Sequence, residues 1–286
     1  MTTTVQTRND PGMLARLRAA STFIFDMDGV LYRGSEALPG VRSLLETLGR
    51  TGKRFMLATN NSMASPESYT AKLANMGIQV SPERILTSGT ATGDYLRETL
   101  PPGAGLYIVG MPALSEQILG RTDFHPVDAA NEVPAAVVVG LDLTFTYEKM
   151  KLAMASILAG ATFVATNADA TLPTERGFVP GAGSIIAGIA LASGVQPTVI
   201  GKPSPRTLLH AAKQMGASPA ETVMIGDRLD TDILAGQRAD MLTVLVLTGV
   251  SSRDDVEREG IVPDLIFDNA LALHHAIDAP LNGENP

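Results

Sequence analysis

A chain of 286 residues, 45% hydrophobic and 18% charged, is long enough for about two domains with sizeable cores and has the balance of a folded protein. Asp and Glu number 30 against 22 Lys and Arg, and the formal net charge of -8 argues against nucleic acid or an anionic membrane as the main partner. With no cysteine there is no disulfide, thiolate nucleophile or sulfur-ligated zinc, which fits a reducing cytoplasm.

The N-terminal stretch lacks the apolar run of a secretory signal, so no export is expected, and a frayed tail is expected to about Gly12. Residues 22–25 form the first short apolar run, which reads as a buried strand and leads directly into Asp26-Met27-Asp28-Gly29-Val30. A helix is predicted over 41–48, then a strand over 54–58 that ends in Thr59-Asn60-Asn61-Ser62. The next helix, over 66–76, opens at Ser65-Pro66 and stops at Gly77. Further strands are predicted at 106–109, 136–139, 162–165, 198–200, 222–225 and 242–247, with helices over 147–158, 205–215 and 231–239 between them. Such alternation gives a doubly wound, parallel α/β sheet. No apolar run approaches the ~18 residues of a membrane helix, so no membrane partner is expected.

The chemistry-bearing residues follow strands. Asp26 and Asp28 come after the first, Thr59 and Asn60 after the second, Lys202 after 198–200, and Asp227 and Asp232 after 222–225. The carboxyl ends of strands are where open α/β sheets bind ligands. Two carboxylates at i and i+2 share a side and repel unless a cation lies between them. Taken singly, these residues read as a solvated turn, a helix cap and a loop. Placed together at one rim, they suit phosphoryl transfer. Asp26 attacks phosphorus, while Asp28 protonates the leaving oxygen and then takes a proton from water. Thr59, Asn60 and Lys202 meet phosphate oxygens, and an oxygen-only ligand set favours Mg²⁺. The GxxxxGK[ST] and dinucleotide fingerprints are absent, which argues against a P-loop kinase or a dehydrogenase.

As a set, Asp26-Met27-Asp28-Gly29-Val30, Thr59-Asn60-Asn61-Ser62, Lys202-Pro203 and Gly226-Asp227-x4-Asp232 resemble the four ordered motifs of the haloacid dehalogenase-type phosphohydrolases. Asp28-Gly-Val-Leu-Tyr, Ala165-Thr-Asn-Ala-Asp169, Pro180-Gly-Ala-Gly183, Gly201-Lys-Pro-Ser-Pro205 and Thr248-Gly-Val-Ser-Ser252 are similar to the NagD-type subfamily. The resemblance implies Asp26 as nucleophile, Asp28 as acid/base, Thr59 and Lys202 as phosphate ligands, and Mg²⁺ held by Asp26, the Asp28 carbonyl and Asp227 with Asp232 in support. It also implies a Rossmann-like core carrying an inserted α/β cap. About 140 residues separate the Thr59 and Lys202 motifs, more than one sheet needs between neighbouring strands. The expected division is core 1–87, cap 88–194 and core 195–286. Asn167, Asp169, Arg176 and Phe178 are expected to face substrate from a cap loop that resists assignment to strand or helix. A homodimer through the cap is a further expectation.

The expected substrate is a small phosphomonoester of the nucleoside monophosphate, sugar phosphate, glycerol phosphate or phosphoglycolate type. Two other activities fit the same residues. One is a phosphotransferase or mutase, which needs an acceptor in place of water. The other is a non-catalytic phospho-Asp signalling module, against which Asp28 and the large cap both stand.

Overall fold

The computed structural model describes residues 10–174 and 177–279. The fold divides into two units, one drawn from residues 1–58, 69–85 and 205–286, the other from 59–68 and 86–204.

The first unit is built on a six-stranded sheet in the order Leu265–Phe267, Leu242–Val246, Thr222–Gly226, Thr22–Phe25, Arg54–Thr59, Ile85–Thr87. Thr22 lies opposite Thr222 on one side and Arg54 on the other, both pairings parallel. Every residue of Thr22–Phe25, Thr222–Gly226 and Leu242–Val246 is buried, as continuous apolar runs require when helices cover both faces. In helix Val41–Arg50 the buried Val41, Leu44, Leu45 and Leu48 recur at three- and four-residue spacing and form its inward stripe. From Thr22–Phe25 the chain proceeds to Arg54–Thr59 on one flank, while Thr222–Gly226 is followed by Leu242–Val246 on the other. The winding therefore reverses between Thr22–Phe25 and Thr222–Gly226, and the crevice beyond their carboxyl ends is the topological switch point.

The expected frayed start is corrected at Pro11 and Gly12, which belong to helix Pro11–Ala19. The Asp10 carboxylate accepts the Gly12 and Met13 N–H groups at 2.7 and 3.2 Å, Pro11 occupies the first turn, and Leu17 is fully buried.

The second unit carries its own parallel sheet, in the order Thr198–Val199, Thr162–Ala165, Ala136–Val139, Gly105–Val109, His125–Pro126. Val137, Val139, Phe163 and Ala165 pack with Ile157 of helix Tyr147–Leu158 and with Ile186 and Ile189 of helix Ala182–Ser193. The strand before Lys202 thus sits at the edge of this sheet, whereas the sequence pattern put it at the rim of the first. Local patterning shows that a strand forms and not which strand it pairs with. The stretch read as neither strand nor helix is an antiparallel hairpin of Thr171–Thr174 and Gly177–Pro180, where Pro173, Gly177 and Pro180 mask the strand signal. No helix among the described residues is long and apolar enough to cross a membrane.

Candidate active site

Asp26 follows Thr22–Phe25 directly, and its N–H donates to the Ile225 carbonyl at 2.8 Å, so the ladder with Thr222–Gly226 continues to the catalytic edge. Asp227 follows that second strand. One carboxylate oxygen from each of Asp26, Asp227 and Asp232 lies within 4.8 Å of the others, with Asp26 partly buried and the other two buried. At an effective dielectric of ~20, two unit charges at this separation or closer repel by at least about 3.5 kcal/mol. Backbone donors offset part of this repulsion. The Asp227 carboxylate accepts the Val250 N–H at 2.8 Å, and that of Asp232 accepts the N–H groups of Asp227 and Arg228 at 3.2 and 3.1 Å. These three carboxylates form a hard, oxygen-only donor set of the kind that suits a divalent cation such as Mg²⁺.

Asp232 reaches this position through a widened turn. A plain helix over 231–239 is corrected to a π-helical turn, Leu229–Ile233, leading into helix Leu234–Arg238. The Asp232 and Ile233 N–H groups both donate to the Arg228 carbonyl at 3.1 Å, and Arg228 pairs with Asp230 at 2.9 Å. Single π turns recur at functional sites because the extra residue re-aims side chains.

Asp28 is exposed as a whole residue although its carboxyl is partly shielded from water, and it is not one of the three clustered carboxylates. Loss of water around the carboxyl raises its pKa above the ordinary value, while Lys72, the Gly29 N–H and Arg33 pull it down without cancelling the rise. Lys72 is itself held over the Tyr32 ring, 3.9 Å from its centroid. A raised pKa keeps a larger fraction of Asp28 protonated, the state a general acid needs.

Glycines make room for the buried carboxylates. A Cβ on Gly249 would lie 1.8 Å from Asp227 Oδ2, one on Gly29 2.6 Å from the same atom, and one on Gly226 2.1 Å from the Asp232 Cβ. Gly29 also has φ +81°, which favours glycine. The motif Thr248-Gly-Val-Ser-Ser252 appears in sequence only as part of a resemblance; in the fold its Gly249 and Val250 N–H shape the Asp227 pocket. Gly249→Ala is expected to raise the Mg²⁺ concentration for half-maximal activity by about 10- to 100-fold. Gly49→Ala, at a helix position with nothing within 4 Å of the added Cβ, is expected to leave it unchanged. Activity titrated against Mg²⁺ checks both.

In the second unit, Asn60 is the centre of a polar network. Its Oδ1 accepts the Lys202 N–H at 2.8 Å, and its Nδ2 donates to the Lys202 carbonyl at 2.8 Å and to the Asp169 carboxylate at 3.0 and 3.2 Å. The Asn60 carbonyl accepts Asn167 Nδ2 at 2.9 Å and the Ser88 hydroxyl at 2.5 Å, and Asn167 Oδ1 in turn accepts the Asp169 N–H at 3.1 Å. Lys202 is 2% exposed. Thr59 is half-buried, and its hydroxyl accepts the Asn61 N–H at 3.2 Å. Ser88 was not among the sequence candidates; it opens helix Ser88–Thr99, whose glycines and threonines hide a helical signal. Phe178 lies on the hairpin, 72% exposed. Arg176 lies outside the described residues.

A family model for haloacid dehalogenase-like hydrolases matches residues 23–121, and a second, described as HAD-hydrolase-like, matches 199–273. The acid sugar phosphatase of Staphylococcus aureus is 37% identical over 251 residues, covering 88% of this chain and 95% of the relative. The 4-nitrophenylphosphatase of Thermotoga maritima aligns with a TM-score of 0.85 at 36% identity, over 92% of this chain and 99% of that one. Glycerol phosphate phosphatase from Mycobacterium tuberculosis, solved in complex with magnesium, aligns at 0.82 and 33% identity, over 90% of this chain and 78% of that one. With the acidic cluster at the switch point of a parallel sheet, a second α/β unit inserted in the chain, and these likenesses along most of its length, the chain belongs to the haloacid dehalogenase-like hydrolases, in their NagD-like and 4-nitrophenylphosphatase-like branch.

Proposed function

We propose that this protein is a magnesium-dependent phosphatase of small phosphomonoesters that works through an aspartyl-phosphate on Asp26. The observation that carries the reading is the convergence of the Asp26, Asp227 and Asp232 carboxylates beyond the carboxyl ends of two adjacent parallel strands. Asp26, the Asp28 carbonyl and Asp227, with Asp232 in support, would hold the ion, and an oxygen-only donor set suits Mg²⁺. Bound there, Mg²⁺ supplies positive charge against the phosphate and the nucleophile.

The remaining steps belong to the chain. An Asp26 carboxylate oxygen forms a bond to phosphorus as the bond to the ester oxygen breaks, and Asp28 gives that oxygen its proton. Water then attacks the aspartyl-phosphate, Asp28 takes a proton from it, and inorganic phosphate leaves with Asp26 restored. Thr59 and Lys202 hold the phosphate oxygens. Phe178, exposed on the antiparallel pair Thr171–Thr174 and Gly177–Pro180, is the proposed contact for the rest of the substrate. Asp28→Asn is expected to lower turnover by about 10²- to 10⁴-fold and to leave a phosphorylated chain visible by intact-protein mass spectrometry.

The substrate class is that of sugar and glycerol phosphates. Support comes from the acid sugar phosphatase and the glycerol phosphate phosphatase that the chain resembles. A panel of sugar phosphates, glycerol phosphate, phosphoglycolate and nucleoside monophosphates tests it. The highest kcat/KM is expected on a sugar or glycerol phosphate. A preference for nucleoside monophosphates would overturn the substrate class, and hydrolysis of none would overturn the phosphatase. The lack of cysteine supports work in the cytoplasm. A homodimer through the second unit is the remaining part of the proposal, to be tested by sedimentation equilibrium.

A further inference from the structure

We infer that the Asn60 side chain is a positioning residue, which fixes the backbone of Lys202 and is itself locked by the Asp169 carboxylate, rather than a ligand to phosphate. The inference rests on the phosphatase reading. A primary amide has two N–H donors and an oxygen acceptor. In Asn60 one donor goes to the Lys202 carbonyl at 2.8 Å, the other to the Asp169 carboxylate at 3.0 and 3.2 Å, and the oxygen takes the Lys202 N–H at 2.8 Å. The reversed amide would set its N–H groups against the Lys202 N–H and its oxygen against a carbonyl and a carboxylate, so the network admits one orientation.

Both backbone groups of one residue are thereby gripped by one side chain. The grip is close enough to exclude a side chain next door, since a Cβ on Gly201 would lie 2.5 Å from Asn60 Oδ1 and 2.6 Å from the Thr166 carbonyl. The Asn60 main chain is held too, its carbonyl accepting from Asn167 and Ser88. Lys202 is almost fully buried, so a shift of its backbone carries its side chain with it. Asp169 completes the device. Its charge-assisted bond holds the amide in the orientation that fits Lys202, and a bond of this kind is stronger than one between neutral groups. Asn60 and Asp169 therefore act on phosphate through Lys202, as one coupled pair.

The test is a polarity swap with isosteric changes. Asn60→Asp removes both donors and sets a carboxylate against that of Asp169; Asp169→Asn removes the charge that orients the amide. Each variant is assayed for kcat, KM and the inhibition constant of inorganic phosphate, with thermal unfolding as a check on folding. Asn60→Asp is expected to lose about 10- to 100-fold in kcat/KM and Asp169→Asn less, with phosphate inhibition weakened in both. In the double variant Asn60→Asp/Asp169→Asn a donor again faces an acceptor, and its loss is expected to be about tenfold smaller than the product of the single losses. Losses that multiply within twofold would overturn the coupling. If Asn60→Asp fails to fold, Asp169→Asn alone decides, because an unchanged phosphate inhibition constant contradicts a role exerted through Asn60 and Lys202. Wild-type protein without phosphatase turnover would instead refute the underlying reading, leaving the two failures distinguishable.

Discussion

Asp26→Asn is expected to abolish turnover, by more than about 10³-fold, while leaving the fold and its melting temperature close to wild type. The amide cannot form the acyl phosphate, and its shape keeps the partly buried side chain in place after the Thr22–Phe25 strand. Its N–H still donates to the Ile225 carbonyl, so the sheet edge is unaffected. Loss of one of three clustered carboxylates also relieves repulsion, which offsets any weakened packing. Phosphate release and circular dichroism on the same preparation check both halves. Near wild-type turnover in that variant would rule out Asp26 as the nucleophile.

Mg²⁺ is expected to raise the melting temperature of the wild-type protein. Binding to the native state alone stabilises by RT ln(1 + [L]/Kd), about 2.7 kcal/mol at a hundredfold excess over Kd, or roughly 5–10 °C for a domain of this size. In Asp227→Asn the amide oxygen still accepts the Val250 N–H, so the buried donor keeps its partner while one charge leaves the cluster. The metal-free variant is therefore expected to be as stable as metal-free wild type, or more so, yet to gain little from Mg²⁺ and to turn over poorly. Differential scanning calorimetry with EDTA and with Mg²⁺ decides it. A variant that keeps the full shift would place the ion elsewhere and remove Asp227 from its ligands.

The strands carrying the acidic residues are legible because burial on both faces demands unbroken apolar runs. Residues 22–25, 136–139 and 162–165 are strands over those bounds, and 147–158 is a helix over its predicted length. The Asp26, Asp227 and Asp232 grouping is readable for the same reason: each follows a strand, or the turn after one, on the same sheet edge. Partner choice is not readable this way. The strands at 105–109, 136–139, 162–165 and 198–199 look locally like those of the first sheet, and long-range pairing alone assigns them to a second. Helix Ser88–Thr99 shows a different limit. Its Gly89, Thr90 and Thr92 are poor helix formers, and it is held instead by burial, by the Thr87 and Thr90 capping box, and by the close approach of Gln117 to Gly89. The π turn at Leu229–Ile233 is equally hidden, because its spacing depends on where Asp232 must meet the Asp227 and Arg228 N–H groups. The Asn60 network joins residues more than a hundred positions apart, and no local pattern reports that.

Steady-state release of phosphate from 4-nitrophenyl phosphate, with the chain counted by active-site titration, tests the central claim most directly. Many turnovers per chain with Mg²⁺ and none after chelation are the predicted result. A single stoichiometric burst, with phosphate retained on the protein, would contradict a phosphatase and leave a phospho-Asp signalling module in its place.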